Sequence, residues 1–173
     1  MDQNLFFVSA IVCLITHILR LVYEILKHRE IMKAGKLSFF IMFTNMVLLW
    51  VSWFILCSSD IYRIDLPAVL NYLGIFLSCL GLFAFISGLL IIKTLESYDG
   101  DLITTGIYSK IRHPMYLGFI LWSIGFPLFF GAPFALLLGL LFIMNILFWR
   151  QLEEIELEKR FPSYREYKRT TWF

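Results

Sequence analysis

The chain reads as five long apolar runs set apart by short polar breaks. The runs cover about residues 5–26, 37–57, 68–92, 114–130 and 134–149. A helix rises about 1.5 Å per residue, so roughly 20 apolar residues cross a hydrocarbon core of about 30 Å. The first three runs meet that length. The fourth has only 17 residues and contains Pro127, and the fifth is shorter still. Gly131-Ala132-Pro133 between them predicts a tight, tilted hairpin. Past Trp149, the spacing of Arg150, Glu153, Glu154, Leu157 and Glu158 carries the last helix out of the membrane as far as Phe161-Pro162. The expected fold is all-α: a polytopic membrane protein with about five transmembrane helices, the last two a hairpin, and a C-terminal helical extension. It forms one membrane domain, with residues 1–92 as a scaffold of three helices and 93–173 as the functional core.

Features inside the runs refine this picture. Arg20 and Glu24 are four residues apart and share a helix face. Charges at that depth face protein or water, which predicts an ion pair near the membrane surface or a place facing a substrate. Gly74, Gly81 and Gly88 recur every seven residues, a stripe that lets another helix approach closely in lipid. Cys13, Cys57 and Cys79 are odd in number and widely spaced, which argues against a disulfide frame or a zinc site. The opening Met-Asp-Gln-Asn has no basic n-region, so the first run is expected to be a retained helix. Tyr164, Tyr167 and Trp172 alternate with Arg165, Lys168 and Arg169 near the end, a mixture suited to the headgroup layer.

Composition agrees with the pattern. The chain is 60% hydrophobic and 16% charged, with a mean hydropathy of +0.77, whereas soluble domains lie nearer half apolar and a quarter charged. A net charge of +2 does not suggest nucleic acid as a partner; membrane lipids are the expected surroundings. Of the 15 Lys and Arg, five spans put Arg63 alone on one side and Arg20 within a span. All the others share the opposite side. This bias predicts an N-terminus outside and a C-terminus in the cytosol, in the cell membrane of a prokaryote or the endoplasmic reticulum of a eukaryote.

That topology brings two polar clusters to the same, cytosolic face. The first is Leu102-Ile-Thr-Thr-Gly-Ile-Tyr-Ser-Lys-Ile-Arg-His-Pro-Met-Tyr116, broken by Gly106 and Pro114, with Tyr108, Arg112, His113 and Tyr116 able to hydrogen-bond, carry charge or stack. The second is Arg150-Gln-Leu-Glu-Glu154. His113 precedes a proline, so its backbone leaves the helical region, and its imidazole stands at the mouth of the fourth helix. Free N–H groups and the dipole there favour a carboxylate. Glu153 and Glu154 point about 100° apart on a helix, so at most one faces a pocket squarely. A site with an anion-binding and a cation-binding side suits a zwitterionic ligand such as an amino acid moiety.

The run Leu-Ile-Thr-Thr-Gly-Ile-Tyr-x-x-Ile-Arg-His-Pro-Met-Tyr-Leu-Gly, a hydrophobic hairpin, then Glu-Glu, Phe161, Tyr164 and Tyr167 resembles the isoprenylcysteine carboxyl methyltransferase and phospholipid methyltransferase family over about residues 99–171. The resemblance implies an integral membrane methyltransferase that uses S-adenosylmethionine and releases S-adenosylhomocysteine. It places Leu102, Ile103 and Tyr108 around the adenosine. His113, Pro114, Met115 and Tyr116 would hold the methionine end, with Glu153 or Glu154, and of the two rather Glu153, on its ammonium group. Arg150, with Arg112 nearby, would bind the substrate carboxylate, and Glu154 would take a proton where the acceptor is an amine. No metal is implied. The expected acceptor is a lipophilic or lipidated small molecule or protein C-terminus, entering sideways from the cytosolic leaflet near Arg150 and Tyr116. It is an isoprenylcysteine-like carboxylate or, alternatively, a phospholipid amine or a small thiol. A sterol-type reductase using NADPH and a non-enzymatic scaffold are the competing readings. Pro114 and the Glu153-Glu154 pair speak against the reductase.

Overall fold

A computed structural model of the chain describes residues 3–32, 35–92 and 100–173. Lys33 in the first basic loop, Lys93, Glu96 and Asp99 at the start of the long polar interval, and the first two residues lie outside the described residues. All the long elements are helices: α1 (Gln3–His28), α2 (Lys36–Ser59), α3 (Ala68–Ile92), α4 (Pro114–Phe130), α5 (Pro133–Arg160) and α6 (Tyr164–Thr170), with one 3-10 turn, Gly106–Ser109. α1, α2, α3 and α5 are each long and apolar enough to cross a membrane, and α4 is a shorter apolar helix. The protein is an all-α polytopic membrane protein. The fifth helix is not short, because its polar continuation belongs to the same unbroken rod. Of the five apolar helices among the described residues, α4, at 17 residues, falls below a full span.

Helix boundaries follow local chemistry. Pro114 and Pro133 occupy the first turns of α4 and α5, where a missing N–H costs nothing. Gly131 ends α4 at φ 62°, a left-handed conformation that favours glycine. α3 and α4 form the most extensive helix pair, followed by α1 with α2. The glycine stripe accounts for the first pair: a methyl group added at Gly81 would lie 2.8 Å from the carbonyl oxygen of Gly118, and one at Gly88 would lie 2.9 Å from Pro114. Buried side chains from α1, α2 and α5, among them Phe6, Cys13, Trp53, Leu56, Ala135 and Phe142, make the main core. Phe119, Ile146 and Trp149 form a second cluster. Many other large apolar side chains, such as Phe76, Phe83 and Leu141, are exposed and cover the outside of the bundle, as expected where lipid replaces water.

At one rim, loops and turns are tied together. Asp60, fully buried, accepts from the backbone N–H of Tyr62 (2.9 Å) and of Ala135 at the start of α5 (3.0 Å). The Ile64 N–H donates to Gly131 (2.9 Å) and the Arg63 Nε–H to the carbonyl of Phe130 (2.9 Å). The C-terminal ends of α1, α3 and α5 and the N-terminal end of α4 lie at the opposite rim.

Candidate functional site

The segment from residue 100 to α4 is short of regular structure and is held by partners distant in the chain. Gly106 adopts φ 60° and opens the 3-10 turn, which buries Tyr108. The Tyr108 carbonyl accepts from the Tyr167 hydroxyl at 2.5 Å. Ile111 pairs with Trp172 in an isolated parallel bridge. The N–H groups of Arg112 and His113 donate to Trp172 (3.1 Å) and Phe173 (3.2 Å), and Trp172 donates back to Lys110 (2.8 Å). His113 has φ −124° and ψ 62°, off the helical region as a pre-proline residue should be.

The two polar clusters meet. The His113 imidazole lies 3.7 Å from Glu153 through Nδ1 and 3.4 Å from Glu154 through Nε2, both longer than a good hydrogen bond. Their roles divide as the 100° turn between the two acids requires. Glu154 is almost fully buried and paired to Arg112 (3.3 Å) and Lys168 (2.6 Å). Arg112 also donates to the Lys168 carbonyl (3.1 Å) and to Thr171. Glu153 keeps 41% of its side chain exposed and is hydrogen-bonded to Tyr116.

Glu153 faces a cavity of about 170 Å³ at this rim. Leu102, Ile103, Tyr108, Arg112, His113, Pro114, Met115 and Tyr116 line it too. Arg150 and Glu154 do not. The Arg150 guanidinium instead lies 4.7 Å from the ring centre of Phe173. The first hydrogen bond of α4 runs from Leu117 to His113 (3.0 Å). The N–H groups of Met115 and Tyr116 therefore fall outside the helical ladder, at the cavity wall.

Sequence reasoning left several wall residues unassigned. α1 contributes Arg20 and Glu24, an ion pair whose two members both line the cavity. The only local signal was charge at membrane depth. Tyr164 and Tyr167, expected at the headgroup layer, are buried instead and line the cavity. They are three apart on α6 and pack the same way, against the loop before α4. The Tyr164 hydroxyl is buried without a partner. Burial raises the pKa of Tyr108 and Tyr164, reinforced by the charges of Glu153 and Glu154 respectively, so both phenols stay neutral donors. The Glu154 hydrogen bond raises that of Lys168.

Relatives carry part of this chain. The Protein-S-isoprenylcysteine O-methyltransferase of Saccharomyces cerevisiae is 39% identical over 80 residues, 45% of this chain and 34% of that protein. The protein of the same name from Schizosaccharomyces pombe is 33% identical over 81 residues, 46% of this chain and 34% of its own length. That of Dictyostelium discoideum is 30% identical over 77 residues, 43% of this chain and 32% of its own length. The chain thus spans about a third of the length of the curated relatives it matches. No solved structure matches it. The family described as NnrU protein matches residues 5–172. Since that match runs through all six helices, the chain belongs to the NnrU protein family.

Proposed function

We propose that this chain is an integral membrane methyltransferase that uses S-adenosylmethionine to methylate a lipophilic acceptor, the carboxylate of an isoprenylcysteine-like substrate. One observation carries the reading. A single cavity gathers Leu102, Ile103, Tyr108, the His113-Pro-Met-Tyr116 turn and Glu153, the residues whose chemistry suits a zwitterionic donor with an aromatic base. The partial likeness to three isoprenylcysteine O-methyltransferases supports it. The fit is chemical as well as positional. The half-exposed Glu153 carboxylate suits an ammonium group, and the free N–H groups of Met115 and Tyr116 suit a carboxylate. Leu102 and Ile103 offer apolar contact, and the orphaned Tyr164 hydroxyl offers a hydrogen bond that nothing in the protein takes up.

When bound, S-adenosylmethionine supplies a methyl group on a positively charged sulfur, already activated towards attack. The protein's part is to bind, align and exclude water; positioning of this kind accounts for on the order of 7–11 kcal/mol in well-oriented reactions. Transfer of that methyl group to an ionised carboxylate oxygen, with the sulfur leaving as a neutral thioether, would require no proton to move, so the residues around the cavity need supply no base. An acceptor that arrives ionised suits the site, because Glu154, the group expected to relieve an amine of its proton, is turned away from the cavity into its pairs with Arg112 and Lys168. Residues from Asp101 onward supply the donor pocket, and α1, α2 and α3 complete its wall. The charge bias supports a cytosolic position for this rim.

Calorimetric titration of the detergent-purified protein with S-adenosylhomocysteine and with NADPH tests the reading. Saturable binding of the first alone supports it, binding of NADPH alone would replace it with a reductase, and binding of neither would leave a non-enzymatic protein.

A further inference from the structure

We infer that Arg20, on the first transmembrane helix, receives the anionic head of the methyl acceptor, and that the acceptor is an amphiphile bearing a carboxylate. The inference rests on the methyltransferase reading for what the carboxylate undergoes, but not for how it is held. Four arginines come near the site, and one of them, Arg160, donates to the carbonyl of Gly100 (3.0 Å) and lies over the ring of Phe161. Arg112 is committed to Glu154 and to the carbonyls of Lys168 and Thr171. Arg150 stacks on Phe173 outside the cavity. Arg20 lines the cavity while being only 6% exposed.

Its surroundings are those of a receptor with one donor still to satisfy. Glu24 pairs with the Nη2 edge. The rings of Trp149 and Tyr23 flank the guanidinium at 5.7 and 5.9 Å. The Nε–H is buried and has no acceptor. A guanidinium presents its N–H groups as a planar fork matched to the two oxygens of a carboxylate, and a buried charged donor without an acceptor is unfavourable. Glu24 balances the charge, but no acceptor among the described residues meets the Nε–H. Arg20 forms part of the cavity wall, so a carboxylate held there meets this side chain.

Position selects an amphiphile. Arg20 sits two turns inside the end of α1, and its neighbours Leu19 and Val22 are 52% and 46% exposed on the outer surface of the bundle. On the inner side the wall beside it is apolar, formed by Met46 and Phe119. A head held at Arg20 therefore leaves a hydrocarbon tail among apolar side chains or lipid. Tyr116, Arg20, Glu24 and Glu153 all line the one cavity, so the head and the proposed donor pocket meet within it.

The test compares two probes with one tail, N-acetyl-S-farnesylcysteine and its uncharged carboxamide, for binding to the full chain in nanodiscs. S-adenosylhomocysteine affinity is measured in parallel. The wild type is expected to prefer the acid at least tenfold. Arg20→Gln should bring the two probes within twofold of each other while S-adenosylhomocysteine binding is retained. The double variant Arg20→Gln/Glu24→Gln repeats the comparison without an unpaired buried acid, in case the single variant does not fold. An acid preference that survives in the variants, or is missing from the wild type, overturns the inference. A wild type that prefers the acid through Arg20 yet binds no S-adenosylhomocysteine would sink the methyltransferase reading and leave the Arg20 site standing.

Discussion

Neighbouring carboxylates at the end of α5 should fail in different ways when neutralised. Glu153→Gln removes the charge facing the cavity. A hydrogen bond to a charged group contributes about 1.5–3 kcal/mol, and a side chain 41% exposed to solvent belongs at the low end of that range. Roughly 1.5–2 kcal/mol corresponds to about a 10- to 30-fold weaker affinity for S-adenosylhomocysteine. Thermal stability should hardly change, because the side chain being altered is itself 41% exposed and an amide in its place still offers an oxygen acceptor. Glu154→Gln acts elsewhere. Breaking a fully buried pair costs about 3–5 kcal/mol. Here Lys168 is 37% exposed and retains Glu158 at 3.1 Å, while Arg112 retains the carbonyls of Lys168 and Thr171. The remaining loss is roughly 2–3 kcal/mol, or about 4–12 °C in melting temperature for a chain of this size. Calorimetry and fluorescence-detected unfolding in one detergent read both quantities. A Glu154→Gln protein that melts normally but has lost its ligand, or a Glu153→Gln protein that does the reverse, would show that the division of labour drawn here is inverted.

Other expectations concern the scaffold. Gly81→Leu should part α3 from α4, because the carbonyl of Gly118 cannot give way; the loss should be about 1–3 kcal/mol, read as a lower melting temperature, while Phe83→Leu on the lipid-facing side leaves it unchanged. Deleting residues 171–173 removes the acceptors of Arg112 and of the His113 N–H, each bond contributing about 1 kcal/mol. The shortened protein should melt several degrees lower and bind S-adenosylhomocysteine more weakly, and an unchanged affinity would mean that this strand does not position the His113 turn. Tyr108, Tyr164, Tyr167 and Lys168 all bind their protons more tightly folded than unfolded. Their stabilisation is complete below the unfolded values of about 10 and is lost as pH rises through the folded ones. Melting temperature should therefore be level through mildly alkaline pH and fall steeply above about 10.5. Tyrosinate absorbance of all the phenols preceding any loss of helicity would contradict the burial of these three.

What could be read from residues alone was what is local. The ends of α3 and α4 fall where Pro67, Pro114 and Gly131 punctuate the chain, and α5 continues as far as its helical spacing persists. α1 and α2 extend a residue or two past their apolar stretches, since a helix ends where backbone partners run out rather than where oil does. The division between Glu153 and Glu154 was legible from 100° of rotation. Arg150 is three residues from Glu153 and four from Glu154, a neighbour of both on the helix surface, so spacing alone did not exclude it from the cavity. Arg20 was hidden for another reason. Its partner in the pair was visible, but the approach of α1 to α5 is a long-range contact without a local signature. The bridge between Ile111 and Trp172 is likewise a single pairing, too short for any alternation to announce it.

Asp60 and its neighbours have a mechanical consequence. Carboxylate, guanidinium and backbone bonds fasten the α2–α3 loop to the α4–α5 turn at one rim, so the helices are joined there like the blades of a closed fan at its pivot. Thermal splaying is smallest at that pivot and grows along each rod. The widest excursions therefore fall at the other rim, where the cavity opens and where, on the proposed function, donor and acceptor enter.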